Sequence, residues 1–310
     1  MKTGKLICAL VLGAASIAAL FGCASGSSEN GKAAEGEKPT ATQTELNFAL
    51  VPSEDAEAMA EGFEPIRAQM EKDLGMKVNL LRLTDYTSAI ESMRAGKVDI
   101  AWYGPLSMVL AKQQAEASAF AIPMVKGKGE SYKSMILVKA DSPVTSVDGL
   151  EGKKLALVDP GSTSGNLLPR FAILKATKRK AEDVLGEVTY AGSHDAALLA
   201  LQGGSVDACG IQDITYDSFI QKGQLKAADV RIIWTSDPIP ASPFGMRKGL
   251  DATLAKKVTE SLLGMHEKGV MMNVPGQGEI VKFVPITQAA YEPIEKLANT
   301  LGLSAKEMAK

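Results

Sequence analysis

The chain has 310 residues, too many for one small core and enough for two units of ordinary size. With 45% hydrophobic and 23% charged residues it has the composition of a globular protein, which excludes a fibrous or wholly disordered chain. A formal charge of −2, with no segment that gathers Lys and Arg into a basic face, argues against a nucleic-acid partner.

Lys2 and Lys5 precede an apolar run over residues 6–21. This is the pattern of an export signal, shorter than the roughly 20 apolar residues that span a bilayer, so residues 1–22 are expected to be removed. Leu20-Phe21-Gly22-Cys23 resembles a bacterial lipobox. The resemblance makes Cys23 the lipidated first residue of the mature protein, and an ordinary cut nearby is the alternative. Residues 23–44, rich in Ser, Gly, Ala, Glu, Lys and Thr, read as a flexible tether. Cys8 falls in the signal and Cys23 in the lipobox, which leaves Cys209 alone. No internal disulfide and no Cys/His zinc site are therefore expected, and Cys209 reads as a small buried residue.

From residue 46 strands and helices alternate. Residues 46–51 read as a strand and 53–74 as an amphipathic helix, with Glu54, Asp55 and Glu57 in its first turn and Gly75 at its end. A strand at 78–83, a helix at 87–95 stopped by Gly96, a strand at 98–102 and a helix opened by Pro105 follow. Residues 135–139 form another strand, and near Asp141-Ser142-Pro143 the chain is expected to leave the first lobe. Strands at 155–158, 187–190 and 208–211, with helices from about Ser164 and Asp195, supply a second unit. Residues 232–235 begin the return, residues from Arg247 are helical again, and 291–301 is a helix expected to pack on the first lobe. The reading is α/β: two lobes, each a mostly parallel sheet flanked by helices, joined by two hinge crossings near 141 and 240. Lobe 1 takes 45–140 and 245–310, and lobe 2 takes 141–244.

Ligands of open α/β sheets collect at the carboxyl ends of strands, and in a two-lobed protein they lie in the cleft. That rule selects Asp85-Tyr86, Trp102-Tyr103-Gly104, the stretch 161–165, Ser193-His194 and Gln212-Asp213. Most informative is Gly161-Ser162-Thr163-Ser164-Gly165, between an apolar strand and an apolar helix over 166–175. A helix N-terminus has unpaired N–H groups and a positive dipole end, so three hydroxyls there suit a small tetrahedral anion. The plainer reading of Ser162 or Ser164 is a helix cap.

Taken together, Thr84-Asp85-Tyr86, Asp99, Trp102-Tyr103-Gly104-Pro105, Asp159 to Gly165 with Pro169-Arg170, Ser193-His194-Asp195, Val206-Asp207 with Asp213, and Ile239-Pro240 before Pro243 resemble the substrate-binding proteins of bacterial phosphate, phosphite and phosphonate ABC transporters. The resemblance covers about residues 46–303. It implies the type II periplasmic-binding-protein fold, a phosphoryl cradle made by Ser162, Thr163 and Ser164, and further donors from Tyr86, Tyr103 and His194. It also implies ABC permease subunits as partners, no organic or metal cofactor, no catalysis, a monomer, and an extracytoplasmic place held by the lipid anchor alone. The chain has no GxxxxGK[ST] motif, so the energy of transport must come from elsewhere.

Asp213 carries the expectation about the ligand. A carboxylate about 4 Å from an anion costs several kcal/mol unless a proton or a cation lies between them. In relatives that take an aminoalkylphosphonate, acids at the position of Asp213 and in the segment of Ala241-Ser242 hold the amine. Here Ser242 stands in that segment. A small ligand such as phosphite, methylphosphonate or phosphate is therefore expected, phosphite first, with 2-aminoethylphosphonate as the alternative. Three other readings compete. A hydrolase would use Ser164, His194 and Asp213, yet the nucleophile elbow G-x-S-x-G has Thr163 at its centre here. A binding protein for another solute, such as a sulfonate or a thiamine precursor, would not need both tyrosines and the hydroxyl cluster. A sensory partner would use the same cleft. His266 reads as solvated, Met271, Met272 and Trp234 as packing, and Asp99 and Asp207 as binding turn backbone.

Overall fold

The computed structural model describes residues 43–270 and 272–303; the expectations for the signal, Cys23, the tether and Met271 lie outside these residues. Strand β1 (Glu45–Leu50) lies between β2 (Lys77–Arg82) and β3 (Ile100–Trp102) and runs parallel to both. Helices α1 (Ala56–Leu74) and α2 (Tyr86–Arg94) make the crossovers. In α1 Met59, Phe63, Ile66 and Met70 recur at steps of four and three, which sets them on one buried face. That helix starts at Ala56, where Asp55 accepts the Ala58 N–H at 2.9 Å, so Glu54 lies before the helix and not in its first turn.

Helix α3 (Pro105–Ala115) and strand β4 (Ser118–Val125) complete the first run of this half. The chain then crosses through β5 (Ser131–Tyr132) into β6 (Ser134–Lys139), β7 (Lys154–Leu157), α4 (Leu168–Thr177), α5 (Ala181–Val184) and β8 (Glu187–Tyr190). Helix α6 (His194–Gly203), β9 (Ala208–Gln212), α7 (Asp213–Gln221) and β10 (Val230–Thr235) close this second half. The return runs through β11 (Ile239–Pro240), antiparallel to β5, to β12 (Phe244–Met246), α8 (Ala252–Leu263), β13 (Asn273–Val274), β14 (Gly278–Pro285) and α9 (Glu292–Leu301).

Two sheets result, of order β13-β14-β4-β12-β3-β1-β2 and β10-β6-β9-β7-β8. Parallel pairs form where helices cross over, at β2-β1-β3 and β8-β7-β9, and antiparallel strands extend both, so each sheet is mixed rather than mostly parallel. Residues 134–139 pair with β9 and β10 in the second sheet. The first passage therefore runs through 126–133 and not near residue 141. Both passages meet where Tyr132 pairs with Ile239.

Phe48, Phe63, Trp102 and Phe244 stack in the core of the larger sheet, with Trp102 and Phe244 4.9 Å apart at 81°. Each buried ring of this kind contributes on the order of 2–3 kcal/mol. Helix α9 packs against α3, with Gln113 donating to Glu295 at 2.9 Å, as expected for 291–301, and also against α4 and the 163–167 turn of the second half. Asp99 accepts the Asn47 N–H at 2.8 Å and Asp207 the Lys154 N–H at 2.8 Å, so both bind backbone. Cys209 is fully buried in β9, and burial raises its thiol far above the usual range.

Candidate functional site

Between the halves lies a cavity of about 10 Å³, lined from the first half by Val51, Ser53, Tyr86, Trp102, Gly104 and Gln277, and from the second by Ser162, Thr163, Ser164, His194 and Gln212. Tyr132 and Ser242 enter from the two passages. No Lys, Arg, Asp or Glu is among these lining residues. Their sequence positions explain the site's polarity. Tyr86 and His194 are the first residues of α2 and α6, Gly104 and Gln212 directly precede α3 and α7, and Ser162 caps the turn that leads into α4. Several helix N-termini thus open on one small space, and each favours an anion by about 0.3–1 kcal/mol.

The hydroxyls are aimed by backbone. Ser162 Oγ accepts the Gly165 N–H at 3.0 Å and Thr163 Oγ1 accepts the Leu106 N–H of α3 at 2.8 Å. A hydroxyl that accepts from an N–H keeps its own proton to donate. Tyr132 lies beside Ser164 and Thr163, and Tyr86 beside Ser162. Burial raises both phenols well above the usual range, so both remain donors. The turn 163–167 is wide, with Leu167 N donating to Ser162 O at 3.1 Å. Gly165 makes that turn possible, because a Cβ there would lie 2.2 Å from Val158. Behind it Arg170 holds Asn166 Oδ1 at 2.7 Å, and Asn166 holds Pro160 O at 2.7 Å.

His194 is neutral. Burial pulls its pKa down to about 3, and its Nδ1 accepts the Gln212 N–H at 3.2 Å, which leaves the ring proton on Nε2 as a donor. Across the cleft its backbone N–H donates to Ser53 O at 2.9 Å.

Of the seven residues expected to bind ligand, the structure brings together Tyr86, Ser162, Thr163, Ser164 and His194. It does not bring Tyr103 or Asp213 to the cavity lining. Tyr103 turns to the opposite side of the chain from Trp102 and donates to Ala89 O at 3.3 Å inside the core. Asp213 accepts from Lys128 Nζ at 2.6 Å and from the Lys133 N–H at 3.0 Å, while its neighbour Gln212 lines the cavity. Ser164, His194 and Asp213 form no relay, since His194 Nδ1 faces a backbone N–H and both Asp213 oxygens are held elsewhere.

Sequence reasoning marked Gln212 as a strand end but gave the binding role to Asp213, and it missed Tyr132, Gln277 and a carboxyl behind them, Glu54. That side chain is 5% exposed and accepts from Gln212 Nε2 at 2.9 Å and from Thr215 Oγ1, both in the other half. Burial pushes its pKa up to about 8, against the pull of the Thr215 and Gln212 hydrogen bonds. Gly276, at φ 66°, packs directly on it, and a Cβ there would meet the carboxyl at 2.3 Å. The signal available in sequence was weak: an acid next to a helix cap reads first as a solvated first-turn residue. Among the described residues no group of three His, Cys, Asp or Glu is arranged to hold a metal ion.

Residues 48–291 match the family described as the periplasmic substrate-binding protein of phosphonate ABC transporters. The phosphonates-binding periplasmic protein of Escherichia coli (strain K12) is 30% identical over 275 residues, covering 84% of this chain and 81% of that protein. The phosphate-import protein PhnD of Mycolicibacterium smegmatis is 29% identical over 296 residues, covering 86% and 90%. The solved structure of PhnD1 from Prochlorococcus marinus (MIT 9301) in complex with methylphosphonate has the same fold, with a TM-score of 0.74 at 18% identity over 84% of this chain and 99% of that one. A match across both sheets and all the strand ends that line the cavity assigns the chain: it belongs to the family of extracytoplasmic substrate-binding proteins of phosphonate ABC transporters.

Proposed function

We propose that the protein captures a small phosphorus oxyanion, namely phosphite, methylphosphonate or phosphate, with phosphite first, and delivers it to the permease of an ABC importer. One observation carries this reading: the cavity is lined by neutral donors at helix N-termini and by no ionisable carboxylate or cation. Such a set stabilises a desolvated oxyanion through directed hydrogen bonds and helix dipoles. It has no carboxylate to pair with an ammonium, since Gln212 and Ser242 are both uncharged. The cavity volume is on the scale of one ordered water, so any of these anions must widen it, a compact one least. Relatives named for phosphonates, for phosphate import and for phosphite binding support the same chemical class.

The chain acts as a receptor and not as a catalyst. One half offers the Ser-Thr-Ser turn, His194 and Gln212, the other supplies Tyr86 and the start of α3, and closure excludes water. Cys23 is the lipid anchor, and the protein works as a monomer outside the cytoplasm. The test is a thermal-shift series on the purified protein with phosphite, methylphosphonate, phosphate and 2-aminoethylphosphonate. At a thousandfold excess over Kd a bound anion should raise Tm by about 10 °C. The largest shift is expected with phosphite, and a larger one with the amine would overturn the ligand class while leaving the family intact.

A further inference from the structure

The amide of Gln212 is held in one orientation. Its two N–H groups are shared among three acceptors around Nε2, Glu54 Oε1 at 2.9 Å, Gly276 O at 2.8 Å and Thr215 Oγ1 at 3.1 Å. A backbone carbonyl can only accept, so the NH2 end must face Gly276, and a turned amide would set two oxygens against each other. With its nitrogen committed, the polar side-chain atom that Gln212 has left for the cavity it lines is its carbonyl oxygen. Ser162, Thr163, Tyr86 and, through Nε2, His194 face the same cavity with protons to donate. An acceptor set among donors is out of place for a bare anion, because it would face ligand oxygen with its own lone pairs.

We infer that Gln212 reads the protonation state of the bound anion: held by Glu54, Thr215 and Gly276 through Nε2, it accepts on Oε1 the proton of a P–OH group. The site then takes the singly protonated monoanion and rejects anions of the same shape that carry no proton. Gly276 O fixes the polarity of this contact from across the cleft, and Glu54 is the positioning residue that holds the amide firmly in it. The inference rests on the reading that the ligand is a phosphorus oxyanion.

Titratable groups around the amide are Glu54 before α1, His194 and Asp195 on α6, Tyr86 on α2, Tyr132 on β5, and Asp213 paired with Lys128. A pH dependence owned by any of these would have the same midpoint for every ligand. One owned by the ligand's proton would move with the ligand.

The experiment is calorimetric titration of the purified protein with phosphite, methylphosphonate and methanesulfonate from pH 5 to pH 9. Methanesulfonate copies the shape and charge of the methylphosphonate monoanion without its proton. Affinity for the two phosphorus anions should fall about tenfold per pH unit above each ligand's own second ionisation. Methanesulfonate should bind at least roughly a hundredfold more weakly than methylphosphonate, because it leaves Gln212 Oε1 unpaired. In Glu54→Ala the amide keeps Gly276 O but loses its Glu54 anchor and is held less firmly, and that gap should shrink by about tenfold or more, whereas Glu54→Gln keeps an acceptor for Gln212 and should restore it. A midpoint shared by both phosphorus anions, or methanesulfonate bound within about threefold of methylphosphonate, would overturn the inference. So would an unchanged gap in Glu54→Ala, and if that variant does not fold the wild-type midpoints decide. Failure of the folded wild-type protein to bind either phosphorus anion would instead remove the underlying reading, and the inference with it.

Discussion

Glu54 and His194 are both buried at the cleft, and their pKa values move in opposite directions. Glu54 is raised from 4.5 to about 8, so between those values the folded protein holds a proton that the unfolded chain has released, and stability falls as pH rises. His194 is lowered from 6.5 to about 3, so between those values the unfolded chain holds the extra proton, and stability falls as pH drops. The two slopes oppose each other from about pH 4.5 to 6.5, and above 6.5 only that of Glu54 remains. The ligand-free protein should lose about 2 kcal/mol from this group between pH 6.5 and 8. Urea unfolding across that range checks it. Glu54→Gln should flatten the decline, and a decline of equal steepness in the variant would assign it to another group.

Helix α7 is set by the residue that begins it. Asp213 ties its first turn to the passage strand through the Lys133 N–H and to Lys128, which also reaches Asp217 at 2.8 Å. Because this carboxylate holds an element and lies outside the cavity lining, Asp213→Asn should cost about 1 kcal/mol, with Tm lower by about 2–4 °C, and should leave anion affinity within about threefold. Denaturation and titration of the same preparation decide the point, and a loss of affinity of a hundredfold would return the carboxylate to the site. The same boundary shows what was legible in sequence. The glycine-flanked hydroxyls at 161–165 and the strand-to-helix switches at Tyr86 and His194 announce themselves, because turn chemistry and hydrophobic period are local. Which side of a strand end faces a cleft is not local: one step along the chain separates Gln212 from Asp213 and Trp102 from Tyr103. Strands β4 and β14 pair across 155 or more positions of sequence, and neither has a helix crossover to mark it, so alternation of strand and helix led to sheets more parallel than those observed. Glu54 lay furthest from view, since its partners belong to the other half.

At the scale of the molecule, those long-range bonds are also what close the cleft. Leu106 N to Thr163, His194 N to Ser53 O, and Gln212 to Glu54 and Gly276 each join the two halves around the cavity. All but one of these residues lie at the cavity or one residue from it, so an anion that pairs with the remaining donors adds free energy to the closed arrangement alone. A ligand with that differential affinity must shift the population toward closure, whatever the order of binding and movement. The hinge has little to oppose it, being two antiparallel two-residue strands, β5 and β11. The expected outcome is a radius of gyration in solution X-ray scattering that falls on addition of the bound anion and saturates with the same midpoint as calorimetric binding. Trp102 lines the cavity, whereas Trp234 lies in β10, so the emission change that accompanies closure should persist in Trp234→Phe, where Trp102 is the one tryptophan left of two. Unchanged scattering at saturating anion would mean that the halves stay closed in its absence, and that the ligand must enter through local opening at the rim of the cleft instead of through the hinge.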